Sequence, residues 1–311
     1  MEFIKPDINL DFIGKRKIAL IFSAFLILAG LVSLVVKGGP SYGIDFAGGT
    51  LVQIKFVEAT DPARIKEALA PLTLGGLTVQ QFGDEANEFL VRAQETSGAM
   101  ESLSRNIKTT LETRYGAGQV DVRRTEMVGP QVGKDLRQKG LFAIFYALIG
   151  ILVYVTWRFE FRFAVAAILA LFHDVIITLG VFSIFGKEID LPIIAAFLAI
   201  IGYSLNDTII VCDRIRENMG RHAKDGFAAI VNRSINETLS RTLLTSGTTL
   251  IVVLALFIFG GGVIHNFAFA LLVGILIGTY SSIYVASALL VFWDDYRARK
   301  GALAGAKGGA A

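Results

Sequence analysis

Residues 140–185 read GLFAIFYALIGILVYVTWRFEFRFAVAAILALFHDVIITLGVFSIF. Two apolar runs, Gly140 to Trp157 and Phe163 to Phe185, flank the short basic connector Arg158 to Arg162. A helix of about twenty apolar residues rises 1.5 Å per residue and crosses a hydrocarbon layer roughly 30 Å thick. A connector this short turns the second run straight back. The stretch therefore predicts a transmembrane hairpin. Four further runs have the same character: Ile18 to Val36, Pro192 to Cys212, Leu243 to Gly260 and Phe267 to Trp293. The fold class expected is a polytopic α-helical membrane protein with six spans. The composition agrees, at 53% hydrophobic and 18% charged over 311 residues. No small-residue cleavage site follows the first run, so it reads as a retained helix rather than a removed signal.

Charge sets the expected orientation. Lys15, Arg16 and Lys17 precede the first span, and Arg158 and Arg162 flank the turn between spans two and three. Arg214, Arg216, Arg221, Lys224, Arg233 and Arg241 lie between spans four and five; Arg297, Arg299 and Lys300 follow the sixth. The alternate connectors hold only Lys187 (Gly186 to Leu191) or no cation (Gly261 to Asn266). The positive-inside rule then places both termini in the cytoplasm and residues 38–139 outside it. The expected division is 1–37 for the N-terminus and first span, and 38–139 for a periplasmic domain. A five-helix bundle follows at 140–297, with a cytoplasmic segment at 213–241, and a Gly/Ala-rich disordered tail at 298–311. In that segment Phe227, Ile230, Val231, Ile235 and Leu239 repeat at helical spacing, which fits either an interfacial helix or an ordinary surface helix, with Asp225 as the candidate N-cap.

Within residues 50–127 the hydrophobic period switches between two and 3.6. Strands are expected at Thr50 to Val57, Leu77 to Phe82, Glu88 to Ala93 and Gln119 to Val128. Helices are expected from Asp61-Pro62 to Ala70 and from Gly98 to Tyr115. Asp61 has the chemistry of an N-cap and Pro62 that of a first helical residue. The order β-α-β-β-α-β is the ferredoxin-like pattern. The domain carries no His cluster, no Gly-rich phosphate loop and no Ser/His/Asp set, so catalysis is not expected there. The lone Cys212 excludes an intrachain disulfide and a cysteine-based zinc site. A net charge of +3 without a basic patch gives no support for nucleic-acid binding.

Ionisable groups inside spans cost about 2.5–3.5 kcal/mol at the helix centre on insertion scales, so each needs a reason. Asp207 lies about 22 Å along the fourth span, with Tyr203 and Ser204 one turn back. This stripe is a candidate proton or water path; the alternative is an interhelical hydrogen bond that locks the bundle. His173 and Asp174 sit near the middle of the third span. Neighbouring helical residues point about 100° apart, so nothing in their spacing pairs them, and a relay and a structural contact remain open. Arg241 opens the fifth span and can either snorkel to the interface or reach toward Asp207. Gly274 and Gly278 form a GxxxG that permits close helix approach.

Several motifs carry a family resemblance. Gly43-Ile44-Asp45-Phe46-Ala47-Gly48-Gly49-Thr50 follows the first span, and Val128-Gly129-Pro130-Gln131-Val132-Gly133 precedes the second. Gly202 to Thr208 is followed by Asp213 to Asn218, then by Ser234 to Thr238 with Arg241-Thr242, then by Gly278 to Tyr284. In this order the motifs resemble the SecD/SecF protein-export family, related to RND-type transporters, and its SecF form in particular. The resemblance implies one half of a twelve-helix assembly completed by SecD. It implies work beside the SecYEG channel and the SecA motor, with YajC as an associated partner and an exported unfolded polypeptide as substrate. It implies protons as coupling ion, with no other cofactor and no enzymatic activity. Proton carriage falls to Asp207, supported by Arg241; Gly43, Asp45, Phe46, Gly48 and Gly49 form the periplasmic motif. A proton-driven exporter of small or lipid-like molecules and a non-transporting scaffold of the channel are the rival readings. An intramembrane aspartyl protease is disfavoured, because a second Asp in the required context is missing.

Overall fold

The computed structural model describes residues 9–82, 86–94 and 100–308. Six helices among them are long and apolar enough to cross a membrane. In chain order the elements are α1 (Arg16–Val36), α2 (Ile44–Ala47), β1 (Gly49–Phe56), α3 (Pro62–Leu69), β2 (Thr78–Gln81), β3 (Glu88–Ala93), α4 (Met100–Tyr115) and β4 (Val120–Val128). The bundle continues with α5 (Pro130–Arg158), α6 (Phe161–Ile184), α7 (Leu191–Arg221), α8 (Phe227–Phe259), α9 (Gly261–Ser281) and α10 (Ser287–Gly308). A π-helical turn, Ser282–Ala286, joins α9 to α10 into one long span.

The α+β domain has the expected element order. Its antiparallel sheet runs β2-β3-β1-β4, the order of a ferredoxin-like fold. Asp61 accepts a hydrogen bond from the Ala63 N–H and Pro62 is the first residue of α3, as their chemistry predicts. Val52, Ile54, Phe56, Phe89 and Val91 point to one sheet face and pack on Ile65, Leu69, Ile107 and Leu111 of α3 and α4. The other face carries Gln53, Gln80, Arg92, Arg124 and Glu126 with Leu51 and Leu90, and lines a cavity with residues of the bundle. Residues 98 and 99 of the expected second helix fall outside the described residues.

The helices outrun the apolar runs that announced them. Helix α5 starts at Pro130, ten residues before its apolar run, because proline is tolerated at a first helical position. The segment between spans four and five is not a separate interfacial helix. Helices α7 and α8 continue past the expected membrane boundary as a hairpin and pack together through Ile215, Val231, Ile235 and Leu239. Asn218 Nδ2 donates to Ser234 Oγ at 3.0 Å and to Glu237 Oε2 at 2.7 Å across that hairpin. The apolar stripe of this segment thus faces its own neighbour. The N-cap of α8 is Gly226, not Asp225. Helix α10 runs to Gly308, into the Gly/Ala-rich stretch read as disordered; Ala, Leu and Lys are strong helix formers.

Close approach between helices rests on glycine. A Cβ on Gly278 would lie 2.9 Å from Ser204 Cβ, and one on Gly274 would lie 2.3 Å from Ile200 Cδ1, so the GxxxG seats α9 on α7. Gly30 of α1 and Gly180 of α6 meet in the same way, a Cβ on either lying 2.7 Å from the other's Cα. No small-xxx-small spacing announced that second crossing.

Candidate functional site

Two polar networks occupy the bundle. The first is centred on Asp174 of α6, which is 0% exposed. Its Oδ2 accepts from Ser204 Oγ of α7 at 2.6 Å and from Ser281 Oγ of α9 at 2.8 Å. Its Oδ1 lies 2.8 Å from His173 Nδ1. The neighbours therefore do pair, although helix geometry alone gave no reason to expect it. His173 Nε2 meets Ser23 Oγ of α1 at 2.9 Å, Ser23 meets Tyr280 Oη at 3.0 Å, and Tyr280 donates to the Ala19 carbonyl at 2.6 Å. The donors count out in one direction. Tyr280 spends its proton on Ala19, so Ser23 donates to Tyr280 and His173 Nε2–H donates to Ser23. The contact between Nδ1 and Asp174 Oδ1 closes this chain of hydrogen bonds.

The second network is centred on Asp207 of α7, 1% exposed. Ser246 Oγ of α8 donates to its Oδ2 at 3.3 Å, and Thr279 of α9 lies 2.7 Å from Ser246 Oγ. Tyr203 Oη donates to Ser246 Oγ at 3.3 Å. Asp207 Oδ1 has no hydrogen-bond partner among the described residues, nor has the buried Thr242 Oγ1 one turn before Ser246 on α8. Arg241 is exposed and forms no ion pair among the described residues, but it is close enough to act electrostatically on Asp207. The expected Tyr203-Ser204-Asp207 stripe is split. Tyr203 serves Asp207 through Ser246, whereas Ser204 serves Asp174. Ser204 and the run Thr279-Tyr280-Ser281 connect the two networks, and the π turn follows at once. Such turns mark places where a helix departs from its regular ladder, often at functional sites.

The Gly43 to Thr50 motif builds a joint between domain and bundle. Gly43 N–H donates to the Ile189 carbonyl at 2.7 Å, and Ile189 N–H to the Ser41 carbonyl at 2.8 Å. Asp45 Oδ2 accepts the Leu191 N–H, the first donor of α7, at 2.9 Å. Phe46 is buried against Phe182, Ile193 and Phe197 of the bundle. Gly48 has φ +75° and its Cβ would lie 2.8 Å from Pro130 Cα; Gly49 has φ +118° and its Cβ would lie 2.5 Å from the Ala93 carbonyl oxygen. The motif thus fits the chain's entry into the domain against its exit.

The sequence reading missed the bundle side of this joint. Arg92 of β3 makes a two-pronged ion pair with Glu188 in the α6–α7 turn, both largely buried. Asp190, next along, caps α7 by accepting the Ile193 N–H at 3.1 Å. Burial foremost, with the charges of Asp45 and Glu188 adding to it, raises the Asp190 carboxyl to about 6. The signal available was the acidic pair in Gly186 to Leu191, which was read only as a connector poor in positive charge.

A folded-state acid with a raised pKa binds its proton before the unfolded chain does as pH falls. Asp190 therefore contributes stability at low pH that is lost as pH rises from about 4 through 6. Asp190→Asn keeps a capping side chain and removes the charge. Its melting temperature is expected to exceed wild type at pH 7.5 and to converge with it below about pH 4. A gap that widens toward low pH would contradict the assignment.

Comparison with known proteins places this geometry. A family model for the protein export membrane protein SecD/SecF, C-terminal, matches residues 106–296, and one for the SecD/SecF GG motif matches residues 32–60. The chain belongs to the SecD/SecF protein-export family. It is 52% identical over 292 residues to the protein translocase subunit SecF of Desulfurispirillum indicum, covering 91% of each chain. It is 49% identical over 303 residues to that of Magnetococcus marinus, covering 96% of this chain and 97% of the relative. Among solved structures it resembles SecDF, a translocon-associated membrane protein from Thermus thermophilus, with TM-score 0.84 and 38% identity. That match covers 94% of this chain, which spans 40% of the length of the SecDF chain. A SecDF structure in a super-membrane-facing form is matched at TM-score 0.68. The chain is a multi-pass membrane protein of protein translocation, of the SecF kind.

Proposed function

We propose that this SecF-type chain couples proton entry to protein export as one half of a twelve-helix unit completed by SecD. It sits in the inner membrane with both termini cytoplasmic and residues 38–139 periplasmic, beside SecYEG and SecA, with YajC as an associated protein. It is a transport component rather than an enzyme, and its coupling ion is the proton.

The observation that carries the reading is the placement of one helix. Helix α7 bears Asp207, a buried carboxylate with one oxygen unpartnered among the described residues, and its first turn is held by Asp45 and Asp190 at the domain joint. A change of charge at Asp207 that shifts α7 is transmitted along a rigid rod to the α6–α7 turn. Arg92 and Glu188 pass it to the sheet. Tyr203, Ser204, His173 and Asp174 form the hydrogen-bonded surroundings through which a proton reaches or leaves this region, with Arg241 as the nearby positive charge.

The cavity between domain and bundle favours a polypeptide over a lipid-like substrate. It measures about 510 Å³ and is lined by Gln53, Gln80, Arg124, Glu126 and Asn266, among others. Carboxamides and mixed charges suit peptide groups and offer little to an apolar molecule. The test is reconstitution of the chain with SecD in proteoliposomes. A proton flux that follows the imposed gradient, together with gradient-stimulated completion of export, is expected. Absence of that flux overturns the proposal and leaves a scaffold.

A further inference from the structure

A second cavity, about 770 Å³, lies on the bundle end remote from the α+β domain, between the start of α6 and α10. Its lining is graded along α10. Leu289 lines it together with Val165 and Leu169 of α6. Trp293 follows, in edge contact with Phe161 at a centroid distance of 6.5 Å. Tyr296, Arg297 and Lys300 form the rim. From Leu289 to Lys300 the helix rises about 16 Å at 1.5 Å per residue. Aliphatic, then aromatic, then cationic is the sequence of environments met from bilayer interior to headgroups, where Trp and Tyr favour the interface.

The charges at this rim are partly committed. Arg162 pairs with Glu160 and Asp294 and lies over the Phe163 and Phe227 rings. Asp295 pairs with Arg16 of α1. The nearby acids thus have partners, while Arg297 and Lys300 form no ion pair among the described residues. A groove with an apolar floor and two surplus cations at its mouth is mismatched to an apolar helix and matched to an amphiphile with a negative head. The site also lies away from Asp207, whose network is made by α7, α8 and α9.

We propose that this groove binds one anionic phospholipid, with acyl chain along Val165, Leu169 and Leu289 and phosphate against Arg297 and Lys300. The inference needs only that these helices span a membrane, and stands apart from the proton-coupling reading. The test is native mass spectrometry of the full chain, titrated with phosphatidylglycerol or phosphatidylcholine, alone and with SecD bound. The wild type is expected to retain one phosphatidylglycerol in preference to phosphatidylcholine. The double variant Arg297→Gln/Lys300→Gln is expected to lose about tenfold or more of that preference with phosphatidylcholine binding unchanged. Leu169→Trp, which fills the floor, weakens both. Equal retention of the two lipids by the wild type, or an unchanged preference in the double variant, overturns the site. Expulsion of the lipid when SecD binds also overturns it, and assigns the groove to a partner helix.

Discussion

Asp207→Asn is expected to abolish the gradient-driven component of export while leaving the chain folded and inserted. The substitution keeps size and hydrogen-bonding capacity, so Ser246 still finds an acceptor and the α7–α8 contact survives. What disappears is the ability to change charge. One elementary charge crossing 100 mV is worth about 2.3 kcal/mol, enough to bias a two-state element more than tenfold. Without a titrating group that energy has no point of entry. Export measured with the gradient imposed should fall to the level measured after its collapse, a loss of about tenfold or more. Normal gradient-stimulated export by this variant would remove Asp207 from the mechanism. Removing the side chain altogether, Asp174→Ala, has a different physical meaning. Asp174 is bonded on both oxygens by His173, Ser204 and Ser281, so its loss leaves several buried groups unpaired and acts first on stability.

Gly278→Val is expected to destabilise the bundle by overpacking the α7–α9 crossing. The added Cβ would lie 2.9 Å from Ser204 Cβ, an atom fixed to the α7 backbone, and 3.2 Å from Ser204 Oγ. Overpacking of this kind costs about 1–3 kcal/mol. At roughly 2–4 °C per kcal/mol, the melting temperature should fall by about 2–12 °C. Because Ser204 also holds Asp174, the damage spreads into the polar network. Gly202→Ala is the control. Its Cβ would meet nothing within 4 Å, and alanine is favoured over glycine in a helix by about 1 kcal/mol. Thermal unfolding of the detergent-solubilised protein should rank Gly202→Ala at or above wild type and Gly278→Val well below it. An unchanged Gly278→Val would mean that α9 is not seated on α7 as described.

The two variants divide what was legible from what was not. Spans were legible because the bilayer imposes length and apolarity on each helix by itself. The β-α-β-β-α-β order was legible because strand and helix periods are local. Asp207 was legible because a carboxylate inside a span is expensive wherever its partners lie. Helix ends were less so: α7 and α8 run beyond their apolar stretches, since a helix packed on its neighbour no longer needs lipid to hold it.

Partners are another matter. That Ser204 turns to Asp174 while Tyr203 turns to Ser246 depends on how α6, α7, α8 and α9 are rotated about their axes, and spacing along one helix cannot fix that. The His173–Asp174 contact needs both side chains drawn to a common point by Ser23, Ser204 and Ser281, which lie on three other helices. The Arg92–Glu188 pair joins residues 96 positions apart in the chain. The sequence by itself determined which groups the membrane would have to accommodate, because the cost of burying them is a property of each residue. The tertiary structure alone decided which group answers which, because a hydrogen bond acts over about 3 Å and only packing brings distant segments that close.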